Sequence, residues 1–381
     1  MKFDLRELMS RATRLTRSGD LRAATAAIQA ALRRAVSAAP RGGTAAGSAP
    51  VGDAALHGRR RSFDPGDDVD VIDLPARRDA PAPRADAPAA PAPQRPGPML
   101  GGHHAGAAGG SGGRDYKLFV PQQAGARPLP LVVMLHGCTQ DADDFATGTA
   151  MNDAAQARGF FVLYPEQSAR ANPQRCWNWF KHSHQQHGRG EPALVAGMVR
   201  ELMAVHAIDP DRVYVAGLSA GGAMAAILGN AYPDLFAAVG VHSGLAAGVA
   251  SDLSGALAAM RQGGRPGQGG SGHGVPTIVF HGDTDATVHP RNGDQVALSS
   301  AGGSGADAVA EGVHTPGRRT STRRLHRAAD GRVVAEHWLV HGAAHAWSGG
   351  APGGSYTDPQ GPDATAQMLR FFLEHPRRGA R

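Results

Sequence analysis

Three side chains suited to covalent acyl chemistry occur in this chain in the order serine, aspartate, histidine. The serine is Ser219, in the run Gly217-Leu218-Ser219-Ala220-Gly221. A serine hydroxyl is a weak nucleophile until a neighbouring base takes its proton. Histidine does this near neutral pH and returns the proton to a leaving alcohol. A carboxylate fixes the imidazole tautomer and stabilises the imidazolium. His345 is the favoured base, because it follows Gly342-Ala-Ala in a loop able to bend back to the serine. Its rivals His242, His337 and His341 lie in or at the end of apolar runs. Asp283 and Asp285 compete for the third role. Asp285, two residues further into its loop, is favoured, and Asp283 is the expected brace of the turn. A tetrahedral oxyanion needs backbone donors. The N–H of Ala220 is one, and the N–H of Cys138, just after His136-Gly137, is the expected second. His136 reads as a loop brace. His182, His184 and His187 are spaced as metal ligands could be, but no cysteine or paired-carboxylate motif supports them, so no metal is expected. No organic cofactor is expected either.

The elements around these residues must present them on one side. A β-branched and aromatic run from Arg212 to Ala216 reads as a buried strand, and the Ala-rich stretch from Gly221 to Tyr232 reads as a helix. G-x-S-x-G between a strand and a helix is the context in which that motif carries meaning. Further strands are expected at Tyr116–Val120, Leu131–Leu135, Phe160–Tyr164, Ala237–Val241, Val275–Phe280 and Val333–Val340. Helices are expected at Asp143–Arg158, Pro192–Val205 and Pro362–Glu374, and surface loops at Gly263–Gly274 and Ser299–Arg319. Alternating strands and helices predict a mostly parallel sheet flanked by helices, with active residues beyond the C-terminal strand ends. His136–Gln140, Ser219, Asp283/Asp285 and His345 all fall at such ends.

The catalytic unit is expected at 114–376, followed by a basic tail at 377–381. Ahead of it, residues 1–35 carry helical periodicity and read as a helical arm, one helix pair that cannot bury its own apolar face and therefore docks on something. Residues 36–113 are rich in Pro, Ala and Gly and read as a disordered linker. The net charge of +6 sits mainly in residues 1–113, with 16 Lys/Arg against 11 Asp/Glu. The remainder is nearly neutral, so no nucleic-acid partner is expected. No stretch reaches the length of a transmembrane helix, and the N-terminus has no signal-peptide apolar core.

With these motifs in hand, the chain resembles the polyhydroxybutyrate depolymerase family of esterases, of the α/β-hydrolase fold, over about residues 114–375. The resemblance rests on Leu135-His-Gly-Cys-Thr-Gln140, Tyr164-Pro-Glu166, Cys176-Trp-Asn-Trp-Phe180, Gly217-Leu-Ser-Ala-Gly-Gly222, His281-Gly-Asp-Thr-Asp285 and His341-Gly-Ala-Ala-His-Ala-Trp347. It implies a triad of Ser219, Asp285 and His345, with Cys138 and Ala220 as oxyanion donors. It implies that Trp177 or a neighbour lines the substrate groove; Trp347 and Gln140 are further expected substrate contacts. It is compatible with a Cys138–Cys176 disulfide, with two buried thiols as the alternative. The expected activity is serine esterase hydrolysis of short-chain poly(3-hydroxyalkanoate) or its oligomers through an acyl-enzyme. A feruloyl or acetyl-xylan esterase is the first alternative, and a granule-associated scaffold with a weak esterase core the second. The expected partner is the polymer or granule surface. Many relatives are secreted and carry a separate polymer-binding domain. The arm and linker stand in its place here, which favours a cytoplasmic or granule-associated setting over an extracellular one, with residues 1–35 as the docking segment.

Overall fold

Continuous apolar runs build the centre of the sheet. In the computed structural model, which describes residues 97–106, 112–264, 275–302 and 309–377, they are β3 (Leu129–Leu135), β4 (Phe161–Pro165), β5 (Ile208–Leu218), β6 (Ala238–His242), β7 (Thr277–Gly282) and β10 (Val333–Val340). These six run parallel in the order β4-β3-β5-β6-β7-β10. Antiparallel strands extend both edges: β1 (Met99–His104) and β2 (Arg114–Phe119) beyond β4, and β9 (Ser321–Arg327) and β8 (Val309–Val313) beyond β10.

Strand side chains alternate between faces, and the core divides accordingly. Leu131, Val133, Leu135, Val213, Val215 and Val279 face one layer. That layer is α3 (Gly190–Val205), α4 (Ala220–Ala231), α5 (Leu253–Gln262) and α6 (Arg291–Ser300). Val132, Met134, Tyr214, Ala216 and Phe280 face the other, formed by α1 (Ala142–Thr149), α2 (Met151–Arg158) and α7 (Ala364–Glu374). Strands covered on both faces need apolar residues at every position, which is why they read as unbroken runs. Each fully buried Leu, Val or Phe side chain contributes roughly 1.5–3 kcal/mol. Aspartates start three of the helices: Asp141, Asp252 and Asp363 accept from the N–H groups of Asp144, Gly255 and Ala366.

Three expected segments differ in the structure. The stretch 143–158 is two helices, broken at Ala150 with φ 51°. Gly148, in the last turn of α1, lies so close to Gly354 that a Cβ on Gly354 would stand 2.3 Å from the Gly148 Cα. The Thr149 carbonyl beyond it accepts from Thr365 Oγ1 at 2.7 Å. The sheet also begins earlier than the linker boundary at 113. Residues 99–104 form β1, and Gly102 leaves room for the Tyr116 ring across the pair. His103 bonds Asp115 at 2.6 Å and His104 lies 2.8 Å from Glu201. Finally, the stretch 299–319 holds β8 rather than only loop. The expected arm at 1–35, the linker up to residue 96 and the tail beyond residue 377 lie outside the described residues.

Candidate active site

Ser219 is the single residue between β5 and α4 and has φ 58°, ψ −118°. A non-glycine residue there costs roughly 1–3 kcal/mol and persists only when its surroundings over-determine it. Its own N–H donates to the His242 carbonyl at 2.9 Å, and its carbonyl accepts from Ala223 at 2.9 Å. The glycines beside it make the turn sterically feasible. A Cβ on Gly217 would stand 2.4 Å from Gly221, and one on Gly221 would stand 2.0 Å from the Leu135 carbonyl oxygen. Strand, turn and the next helix thus touch backbone to backbone.

The loops after β7 and β10 are laced together. The N–H of Asp283 donates to Val340 at 3.1 Å, and the N–H and hydroxyl of Thr284 donate to the Ala343 carbonyl at 3.1 and 2.7 Å. This lacing carries His345 to the buried Asp285, and its Nδ1 donates to Asp285 Oδ2 at 2.7 Å. The other oxygen of Asp285 accepts from the N–H groups of Thr287 and Val288 at 2.9 and 2.8 Å. Burial pushes the Asp285 carboxyl up. Hydrogen bonds from His281 and His345, with the His345 charge and the Val288 N–H, outweigh it and hold the carboxyl well below the usual carboxylate range. With Nδ1 spent on Asp285, Nε2 of His345 is the acceptor nitrogen, and Ser219 and His345 line the same cavity.

Asp283 does something else. It is exposed and accepts from the Gly342 N–H at 2.7 Å and from His341 Nδ1 at 2.9 Å, bracing the turn that delivers His345. The other histidines are likewise engaged away from Ser219. His242 is buried, and its Nε2 accepts from the Ser348 N–H at 2.9 Å. Burial, with the neighbouring His281 and His345, pushes it down to about 3, so it stays neutral. His337 is buried beneath α6. His136 accepts from the Gln167 N–H at 3.1 Å through Nε2 and donates to the Gly137 carbonyl at 2.7 Å through Nδ1.

The loop after β3 is held from several sides. Gln140 accepts from the Gly137 N–H at 2.9 Å and donates to Asp144 at 2.8 Å. Thr139, at φ 67°, donates its N–H to the Gln174 carbonyl at 2.7 Å. A disulfide joins Cys138 to Cys176. Among the described residues, the N–H groups of Cys138 and Ala220 donate to no protein acceptor. Glu191, in the first turn of α3, was not singled out by any motif, yet it anchors the opposite wall. It is fully buried and accepts from Asn178 N–H at 2.7 Å, Asn178 Nδ2 at 2.7 Å and Gln167 Nε2 at 2.6 Å. His184 lies 3.4 Å from the same carboxylate, His187 packs on Tyr232 and His182 contacts Gln186. Among the described residues no three metal-ligating groups converge.

The cavity over Ser219 measures about 520 Å³. Its walls carry Trp179, Phe180, Leu245, Leu257, Met260 and Val288, and among the described residues no Asp, Glu, Lys or Arg side chain. Gln140 borders it. Trp177 and Trp347 do not: both are 1 % exposed and belong to the core. Trp177 packs inward toward His136, and Trp179, two residues on, takes the groove position. Trp347 is tied by its indole N–H to Thr365 at 3.1 Å and stacks on His242.

Residues 114–305 match the family model described as Esterase PHB depolymerase. Poly(3-hydroxyalkanoate) depolymerase C of Paucimonas lemoignei is 32% identical over 228 residues, 57% of this chain and 54% of that protein. Feruloyl esterase B of Thermothelomyces thermophilus is 36% identical over 135 residues, 35% of this chain and 45% of that protein. A probable acetylxylan esterase A of Neosartorya fischeri is 29% identical over 193 residues, 46% of this chain and 51% of that protein. The chain thus spans about half the length of these curated relatives. Among solved structures, acetyl xylan esterase from Aspergillus awamori superposes with a TM-score of 0.58 at 20% identity, covering 73% of this chain and 99% of that one. The fold is that of the α/β-hydrolase esterases.

Proposed function

Because the chain belongs to the Esterase PHB depolymerase family, we propose that it is a carboxylic ester hydrolase and that Ser219, Asp285 and His345 cleave short-chain poly(3-hydroxyalkanoate), such as polyhydroxybutyrate, or its oligomers. In this reading His345 Nε2 takes the Ser219 proton as Oγ attacks the ester carbonyl carbon. The N–H groups of Cys138 and Ala220 hold the resulting oxyanion; one such donor is typically worth ~10²–10³ in rate. His345 then gives its proton to the departing alkoxide, leaving an acyl group on Ser219. Water repeats the sequence, and the 3-hydroxyacyl end leaves as the acid. Asp285, held anionic, stabilises the imidazolium at both steps.

The observation that carries the substrate class is the uncharged, largely apolar wall around Ser219. A polyester of methyl-branched units offers neutral ester groups and apolar branches, which such a wall accepts without desolvating a charge. Trp179 and Phe180 in the same wall also suit an aromatic acyl group, and the likeness to a feruloyl esterase supports that second reading. The test is turbidity loss and 3-hydroxybutyrate release from amorphous polyhydroxybutyrate granules, with p-nitrophenyl butyrate and a feruloyl ester run alongside. The Ser219→Ala variant should lose ~10⁶ in turnover. Ser219-dependent clearing of granules is the expected result. Hydrolysis of the feruloyl ester without clearing would replace the polyester reading with the carbohydrate-esterase one.

A further inference from the structure

Asp285 is served by a second histidine. His281, the last but one residue of β7, is fully buried, and its Nε2–H donates to the Val288 carbonyl at 2.8 Å. The same nitrogen lies 3.4 Å from Asp285 Oδ2, the oxygen that receives the His345 hydrogen bond. Because the Val288 carbonyl can only accept, Nε2 carries a proton. Val288 also gives its N–H to Asp285 Oδ1, so ring, carboxylate and peptide form one closed set.

Behind that ring stands another layer. His281 Nδ1 and His337 Nε2 are both buried and have no hydrogen-bond partner among the described residues. Both face Gly293 of α6: a Cβ there would lie 2.9 Å from His281 Nδ1 and 3.0 Å from His337 Nε2. His337 Nδ1 lies 3.4 Å from Asp294 Oδ1, which accepts from Arg324 at 2.9 Å. The charged and titratable groups around His281 are therefore Asp285 beyond β7, His345 through Asp285, His337 on β10, Asp294 on α6 and His242 on β6.

We propose that His281 is a positioning residue for Asp285, and that His337, Gly293 and Asp294 hold its ring with Nε2–H on the Val288 carbonyl and beside the carboxylate. The proposal rests on the reading of Asp285 as the triad acid. The Thr287, Val288 and His345 hydrogen bonds fix the plane of the carboxylate, and the His281 N–H, 3.4 Å from Oδ2, keeps that oxygen on the His345 side. It also draws off part of the negative charge that would otherwise raise the proton affinity of His345.

The test compares His281→Gln with His281→Asn. The Gln amide reaches the place of Nε2 and keeps a donor to Asp285, whereas the Asn amide reaches only the place of Nδ1. With p-nitrophenyl butyrate, His281→Asn should lose about 10- to 100-fold in kcat at unchanged KM. The acid limb of its pH–rate profile should move to higher pH. His281→Gln should restore most of the rate and the wild-type limb, and His337→Phe should shift kcat and the limb in the same direction as His281→Asn, to a smaller extent. Circular dichroism melts of each variant check folding. Equal kcat and equal acid limbs for the Asn and Gln variants, with the large loss in Asp285→Asn still seen, would overturn the positioning role and leave the triad standing. An unchanged rate in Asp285→Asn would instead overturn the triad reading itself.

Discussion

Replacing Cys138 and Cys176 together by serine separates what the disulfide does for stability from what it does for turnover. The bridge closes a loop of 38 residues. The chain-entropy relation gives about 4 kcal/mol at 25 °C for a loop of that length. For a unit of this size 1 kcal/mol moves Tm by about 2 °C, so the double variant should melt about 8 °C lower. Turnover should respond much less. The Gly137 N–H still bonds Gln140, and the Thr139 N–H still bonds the Gln174 carbonyl, so two of the three ties on the Cys138 loop survive. A misplacement of this kind should lower kcat on p-nitrophenyl butyrate by about tenfold at most. The assay is a calorimetric melt paired with initial rates at a temperature well below both transitions; dithiothreitol on the wild type should reproduce both effects. A Tm change under about 2 °C would refute the loop-closure argument. A kcat loss near that of removing an oxyanion donor, ~10²–10³, would refute the claim that the hydrogen bonds alone hold the loop.

Two further outcomes follow from the same geometry. Asp285→Asn should lower kcat by ~10⁴, because the amide no longer fixes the His345 tautomer, while Asp283→Asn, which keeps an acceptor for Gly342, should cost less than about tenfold; equal losses in steady-state rates would reverse the two roles. Glu191 gives an acid signature: burial pushes its carboxyl up, but hydrogen bonds from His184, Gln167 and Asn178, with the His184 charge, hold it below the ordinary 4.5. A depressed folded value adds stability that is present above about pH 4.5 and lost as pH falls toward that value. Melts across pH 3–7 should show that slope in the wild type and a flatter one in Glu191→Gln, which at pH 7 should be less stable by about 3 kcal/mol.

The six parallel strands were legible because strands buried on both faces must be apolar throughout. The edges were not. Residues 99–104 alternate nothing: two glycines and two histidines stand where a strand pattern would be, and β1 exists through its ladder with β2. β9 reads Ser-Thr-Arg-Arg-Leu-His-Arg because Arg323 finds Glu311 and Glu336 and Arg324 finds Asp294, partners on other elements. The break at Ala150 is equally non-local, since it depends on how Gly148 packs against residues 350–354. In the site, Ser219, Asp285 and His345 carried motif signals of their own. Which tryptophan faces the groove did not, since Trp177 and Trp179 share one loop and the loop's orientation is set by Glu191 and the disulfide. Nor did Trp347 announce its burial, which follows from the short parallel pair β11 (Trp347–Ser348) and β12 (Thr357–Asp358).

The placement of the last described residues bears on how the protein could be attached to a solid support. The N–H of Arg377 donates to the carbonyl of Asp211, near the beginning of β5. Seven residues of extended backbone, roughly 23 Å, separate Asp211 from Leu218, the residue before the nucleophile. A tether joined after Arg377 therefore leaves from the end of the sheet remote from the cleft. A bead or electrode coupled there would carry the enzyme with its mouth turned outward, open to a substrate as large as a particle.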